Sequence, residues 1–190
     1  MKKVIIVSII ILSIVSSSCD HLKFQGIPIN GDLKSFTEEL NEMGYQEDQA
    51  EDEDHLKFSG RFLEKDCTIY LSTTKKSHTP YMLRIDLPKE PYDSIKNSYE
   101  RLKKHCASIL GPGASKYQQF NYSSRFLFNE PKLVREPRNG DYTRYLSRKG
   151  SVYLEVNFDY LSITYIDKRN SDLLVEEGGK VIDPENGKEF

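Results

Sequence analysis

The sequence predicts an α+β fold: antiparallel β-meanders, arranged as two α-β-β-β units, with two helices packed on one face. Three observations predict it. Six segments alternate apolar and polar residues with period two. Two others carry apolar stripes at helical spacing, and turn residues punctuate the joins. The 190 residues suit one domain. Twelve Tyr and nine Phe supply bulk for a core, which excludes a wholly disordered chain. The 27 basic and 29 acidic side chains nearly balance, so no nucleic-acid partner is expected.

The N-terminus reads as an address. Lys2 and Lys3 precede twelve apolar or near-apolar residues at 4–15, then Ser16, Ser17, Ser18 and Cys19. A charged start, a short apolar run and small residues before a cut make a secretory signal. Twelve residues are too few for a transmembrane helix, which needs about 20. The arrangement resembles a bacterial lipoprotein signal, in which the cysteine becomes the lipidated first residue. Ser16 stands where the usual motif prefers Leu, as in the relaxed, serine-rich box of Bacteroides-type lipoproteins. The resemblance implies a signal peptide over 1–18, acylation at Cys19, and attachment to a membrane of the cell envelope, the outer rather than the inner.

Residues 19–170 are expected to form the domain. The stretch 21–29 is a short extended piece, which Pro28 limits to an edge or loop. Asn30-Gly31 is a turn. Leu33, Phe36, Leu40 and Met43 then predict a helix over 32–43, with Asp32 as its cap and Gly44 as its stop. The six acids in 47–54 predict a solvated loop. Strands are predicted at 55–63, 67–72 and 81–87, the first two joined at Glu64-Lys65-Asp66. A long helix is predicted over 92–110, striped by Tyr92, Ile95, Tyr99, Leu102, Cys106 and Ile109 and ended by Gly111-Pro112. Phe126-Leu127-Phe128 is a candidate short strand. Strands at 142–148, 151–158 and 161–167 complete the second unit, with a turn at Lys149-Gly150. The pattern fades after Asn170, so 171–190 is expected to be a loose tail.

Asp20-His-Leu-Lys-Phe-x-Gly returns at Asp54-His-Leu-Lys-Phe-x-Gly. It recurs once and is read as two similar strand starts, not as a solenoid period. The doubled α-β-β-β order resembles the tandem units of β-lactamase inhibitor protein and the single unit of small outer-membrane assembly lipoproteins. The phrase from His21 to Ile29, followed by Gly31 and the Leu33/Phe36/Leu40 helix, also resembles uncharacterised Bacteroides-type proteins, a likeness that brings no activity.

Candidate chemistry is sparse. Ser72-Thr-Thr-Lys75 fits an S-x-x-K pattern but ends a strand, where the chemistry needs a helix start. Gly111-Pro-Gly113-Ala-Ser115 leaves a helix, whereas a phosphate-cradling loop must open one. His21, His55, His78 and His105 lack ligand spacing; His21 and His55 are expected to be solvent-facing strand histidines, and no metal or cofactor is expected. With Cys19 lipidated, Cys67 and Cys106 are an even pair in an exported chain: either a disulfide or two buried thiols.

Charge is uneven. Residues 20–66 carry 5 basic and 13 acidic groups; residues 113–150 carry 8 basic and 3 acidic groups. The basic segment interleaves arginines with aromatics, a composition that favours binding hot spots. Its candidate partner surface is Tyr122, Arg125, Arg144 and Tyr145. The bland alternative is a solvated basic face above core aromatics. No nucleophile, base and orienter can be assembled, so no catalysis is expected. The expected function is a lipid-anchored, non-catalytic binding module for a protein or peptide. The alternatives are an inhibitor-like protein that blocks an enzyme with a loop and, third, a hydrolase.

Overall fold

The computed structural model describes residues 21–48, 54–88, 92–110, 115–119, 142–157, 160–183 and 188–189. Its elements are β1 (Lys23–Phe24), β2 (Ile27–Pro28), α1 (Leu33–Glu42), β3 (Gln46–Glu47), β4 (His55–Phe62), β5 (Lys65–Thr73) and β6 (Pro80–Pro88). After these come α2 (Tyr92–Leu110), β7 (Ser115–Gln119), β8 (Tyr142–Ser147), β9 (Gly150–Val156), β10 (Tyr160–Asp167), α3 (Lys168–Glu176), β11 (Ile182–Asp183) and β12 (Lys188–Glu189).

One antiparallel sheet of eight described strands runs β3-β4-β5-β6-β10-β9-β8-β7. The two meanders expected from the sequence, β4-β5-β6 and β8-β9-β10, fuse edge to edge where β6 pairs β10, with Ile85 opposite Ile163. β1-β2 and β11-β12 are separate two-stranded hairpins. The fold is α+β, as the periodicities predict.

Strand alternation sorts the side chains onto two faces. On the core face, Ile69, Ile85, Ile163 and Leu154 lie side by side across β5, β6, β10 and β9. Leu71, Leu83, Tyr165, Val152 and Tyr145 form the next row. Helices cover this face: α1 contributes Phe36 and Leu40, and α2 contributes Tyr99, Leu102 and Cys106. Each fully buried Leu or Ile of this set is worth about 1.5–3 kcal/mol relative to exposure. The α1 start matches the predicted cap, since Asp32 accepts a hydrogen bond from Ser35 N at 2.9 Å.

Several local expectations are corrected. The β4–β5 connection is tighter than expected: Leu63 and Glu64 alone make the turn, both at positive φ (49° and 69°). The β8–β9 turn lies one residue earlier, at Arg148-Lys149, and Gly150 opens β9. Strand β7 was not foreseen. The tail expected from 171 starts inside a helix, because α3 spans Lys168–Glu176. Its inward face holds Asn170, Ser171 and Leu174, so it lacks the apolar stripe by which a helix is read. The acidic run begins in β3, which pairs β4, rather than in a loop. Phe126-Leu127-Phe128 and Phe158 lie outside the described residues.

Candidate functional site

The sheet's second face carries a different alphabet. Register places Lys57, Tyr70, Arg84, Thr164, Tyr153 and Arg144 in one row across β4, β5, β6, β10, β9 and β8. The adjacent row reads Ser59, Thr68, Asp86, Ser162, Glu155 and Tyr142. The Arg84 guanidinium sits 4.8 Å from the Tyr70 ring centroid and 5.8 Å from that of Tyr160. Arg144 lies 4.8 Å over Tyr153. These are cation–π distances.

Arg84 Nη2 donates to Asp86 Oδ2 at 2.8 Å. Arg84 Nε and Asp86 Oδ1 are buried and lack a hydrogen-bond partner among the described residues. They lie at a shallow groove of about 430 Å³, walled by Tyr70, Tyr160, Thr68 and Asp66. Burial opposes the charge on Arg84, but the hydrogen bond and charge of Asp86 outweigh it and hold the guanidinium above its usual range. Burial pushes the Asp86 carboxyl above the usual carboxylate range against the pull of Arg84. Burial likewise raises Glu155, opposed by its hydrogen bond with Asn157. The groove thus sets the Arg84–Asp86 pair between aromatic walls, with Arg84 Nε and Asp86 Oδ1 themselves out of reach of solvent.

Of the expected partner surface, Arg144 is half-buried on this face. Its neighbour Tyr145 points the other way. It is 4% exposed in the core, and its hydroxyl donates to the Lys103 carbonyl at 3.0 Å. Adjacent strand residues cannot share a face, so grouping Arg144 with Tyr145 was an error of period. Tyr122 and Arg125 lie outside the described residues.

Cys67 and Cys106 are both buried free thiols. The disulfide alternative is therefore not what the structure contains. Burial pushes Cys67 up to about 11 and Cys106 up to about 12, so both stay protonated and unreactive at neutral pH. Ser72 is buried and Lys75 is exposed, at the end of a strand rather than the start of a helix. Among the described residues, no three His, Cys, Asp or Glu side chains converge as a metal site. Also among them, no helix is long and apolar enough to cross a membrane.

The histidines divide. His55 is exposed, as expected. His105 is half-buried, its ring edge-on to Phe62 at 5.3 Å, and burial lowers its pKa. His21, expected to face solvent, is buried with Nδ1 3.2 Å from Asp167 Oδ1. Asp167 is the polar hub that sequence reasoning missed. Its carboxylate also accepts Leu22 N at 2.8 Å and Asn170 N at 3.0 Å, while its carbonyl accepts Ser171 Oγ at 2.6 Å. An aspartate three residues before Asn170 is a cap signal, but the fading apolar pattern hid the helix it starts.

The chain matches no protein-family model, no curated protein and no solved structure. On the sheet's second face Tyr142, Tyr153, Ser162 and Thr164 are buried, and the other residues of the two rows are half-buried.

Proposed function

We propose that this chain is a lipid-anchored envelope protein whose domain acts as a non-catalytic binding module, with the outward sheet face as its contact surface. The carrying observation is the Arg84–Asp86 pair at an open groove walled by Tyr70 and Tyr160. Such a groove offers a partner both charge and aromatic contact area. Arginine and tyrosine are also the residues that dominate binding energy at interfaces. The anchor reading rests on the N-terminal pattern that ends at Cys19.

Two measurements test the reading. Metabolic labelling with palmitate should mark the wild-type protein and leave Cys19→Ala unmarked; equal labelling of the two overturns the anchor. A photo-crosslinking residue at Tyr70 or Tyr160 should capture a partner in intact cells that one at the exposed Glu38 of α1 does not. Arg84→Lys keeps the charge but loses the planar fork, and it should weaken the capture. Capture that is equal from both faces, or unchanged by Arg84→Lys, overturns the binding face.

A further inference from the structure

We propose that Arg148, Lys149, Lys168 and Arg169 form a docking surface for the anionic phospholipid headgroups of the membrane that the anchor enters. The orientation it implies rests on the lipid-anchor reading; the patch itself does not. Arg148 and Lys149 make the β8–β9 turn, and Lys168 and Arg169 open α3; all four are exposed. Lys168 N donates to the Lys149 carbonyl at 2.9 Å, which locks the two pairs side by side. They rim one open cleft together with Asp172 and Glu176. Lys168 pairs with Asp172 at 3.0 Å, so four cations face two carboxylates. Two cations in the first turn of a helix oppose its dipole. The Asp172 pair offsets this for Lys168 but not for Arg169, whereas an anionic surface outside the protein accounts for both.

The place of the patch fixes its partner. The described chain begins at His21, which is held on Asp167, the residue before Lys168. Leu22 is tied to the same carboxylate and lies against β9, where a Cβ at Gly150 would come within 2.9 Å of Leu22 Cδ1. Cys19 precedes His21 by two residues, so its Cα lies at most about 7 Å from that of His21. A lipid on Cys19 would therefore enter the bilayer within two residues of His21, whose partner Asp167 directly precedes Lys168. Phosphate-bearing headgroups then supply the complementary charge. Juxtamembrane Lys and Arg near an anionic leaflet each strengthen association about fivefold.

The test uses the mature chain from residue 19, both lipidated and as the acyl-free Cys19→Ala variant. The vesicles are phosphatidylcholine alone, or phosphatidylcholine and phosphatidylglycerol in equal parts. The acyl-free chain should bind the anionic vesicles, ignore the neutral ones and be released by high salt. Arg148→Ala, Lys149→Ala and Arg169→Ala should each lower binding about fivefold, while Arg169→Lys keeps it. For the lipidated chain, amide exchange at 148–149 and 168–169 should slow on anionic vesicles only. Equal binding to both compositions, or no response to the alanine variants, overturns the patch. Displacement by inorganic phosphate at an ionic strength where sodium chloride is without effect also overturns it, since that would mark a small-anion site. The acyl-free arm reads the patch without the lipid, so loss of the anchor reading alone leaves its result intact.

Discussion

The two copies of the seven-residue phrase, at 20–26 and 54–60, differ at one letter and meet opposite fates. In the first, His21 and Leu22 are buried, Phe24 is fully buried, and Gln25-Gly26 (φ 49° and 98°) reverse the chain into β2. In the second, His55 is exposed, Phe58 is fully buried, and Ser59-Gly60 run straight on in β4. The phenylalanine does the same work twice; the ends do not. The two residues after each glycine decide one end. Ile27-Pro28 cannot continue a central strand, because Pro28 has no N–H to donate, whereas Arg61-Phe62 can. The group opposite each histidine decides the other end, since His21 meets Asp167 and His55 sits at an exposed strand start. One residue links the copies. The Tyr45 ring lies over Gly60, and its hydroxyl is within hydrogen-bond reach of Gln25 Oε1 at 3.0 Å and of the Arg61 carbonyl at 3.2 Å.

The sharpest way to break the contrast is to remove Asp167, which holds the first copy. Asp167→Ala strips the α3 cap and orphans the N–H groups of Leu22 and Asn170. The expected loss is about 3–5 kcal/mol, read as a drop in the urea midpoint. A loss below 1 kcal/mol would mean that the buried carboxylate does not hold the N-terminus. His21→Ala removes one bond to the same carboxylate and should cost about 1.5–3 kcal/mol. His55→Ala, at the equivalent letter, should change stability by about 0.5 kcal/mol or less. Equal effects from the two histidine variants would erase the distinction between the copies.

The same contrast marks how much was legible. Period two exposed the β4, β5, β6, β9 and β10 core faces, because Ile69, Ile85 and Ile163 alternate with polar neighbours whatever the tertiary context. The Leu102 stripe exposed α2 for the same reason. The second face of the sheet was not legible as a site. Tyr70 and Arg84 are 14 residues apart on separate strands, and only register brings them together. Asp167 was invisible because its partners, His21 and Leu22, lie about 145 residues away. Arg144 with Tyr145 shows the reverse failure: residues adjacent in sequence are separated by the sheet itself.

The glycines test the comparison at its other end. Gly60→Ala places a Cβ 2.4 Å from Tyr45 Cδ1 and 3.2 Å from Tyr45 Cα, so the ring and its backbone must both move. Overpacking of this kind costs about 1–3 kcal/mol. If the cause is that contact, Gly60→Ala should cost much less in a Tyr45→Ala background, a coupling that a double-mutant cycle reads directly. Additive losses would place the cause elsewhere.

Gly26→Ala should be milder than Gly60→Ala, for a different physical reason. Nothing lies within 4 Å of a Cβ built there, so there is no clash to relieve. The cost is conformational: φ is +98°, and an L-residue held in the left-handed region loses about 1–2 kcal/mol. The substitution also stiffens the unfolded chain, which returns about 0.4–1 kcal/mol. The net loss should be about 1 kcal/mol or less in a urea titration. Asn tolerates positive φ better than Ala, so Gly26→Asn should recover part of the loss, whereas Gly60→Asn should recover none. If Asn and Ala are equally costly at position 26, the turn is not held by its backbone conformation. The first glycine would then be needed for space, like the second, and the two copies would differ less than their structures do.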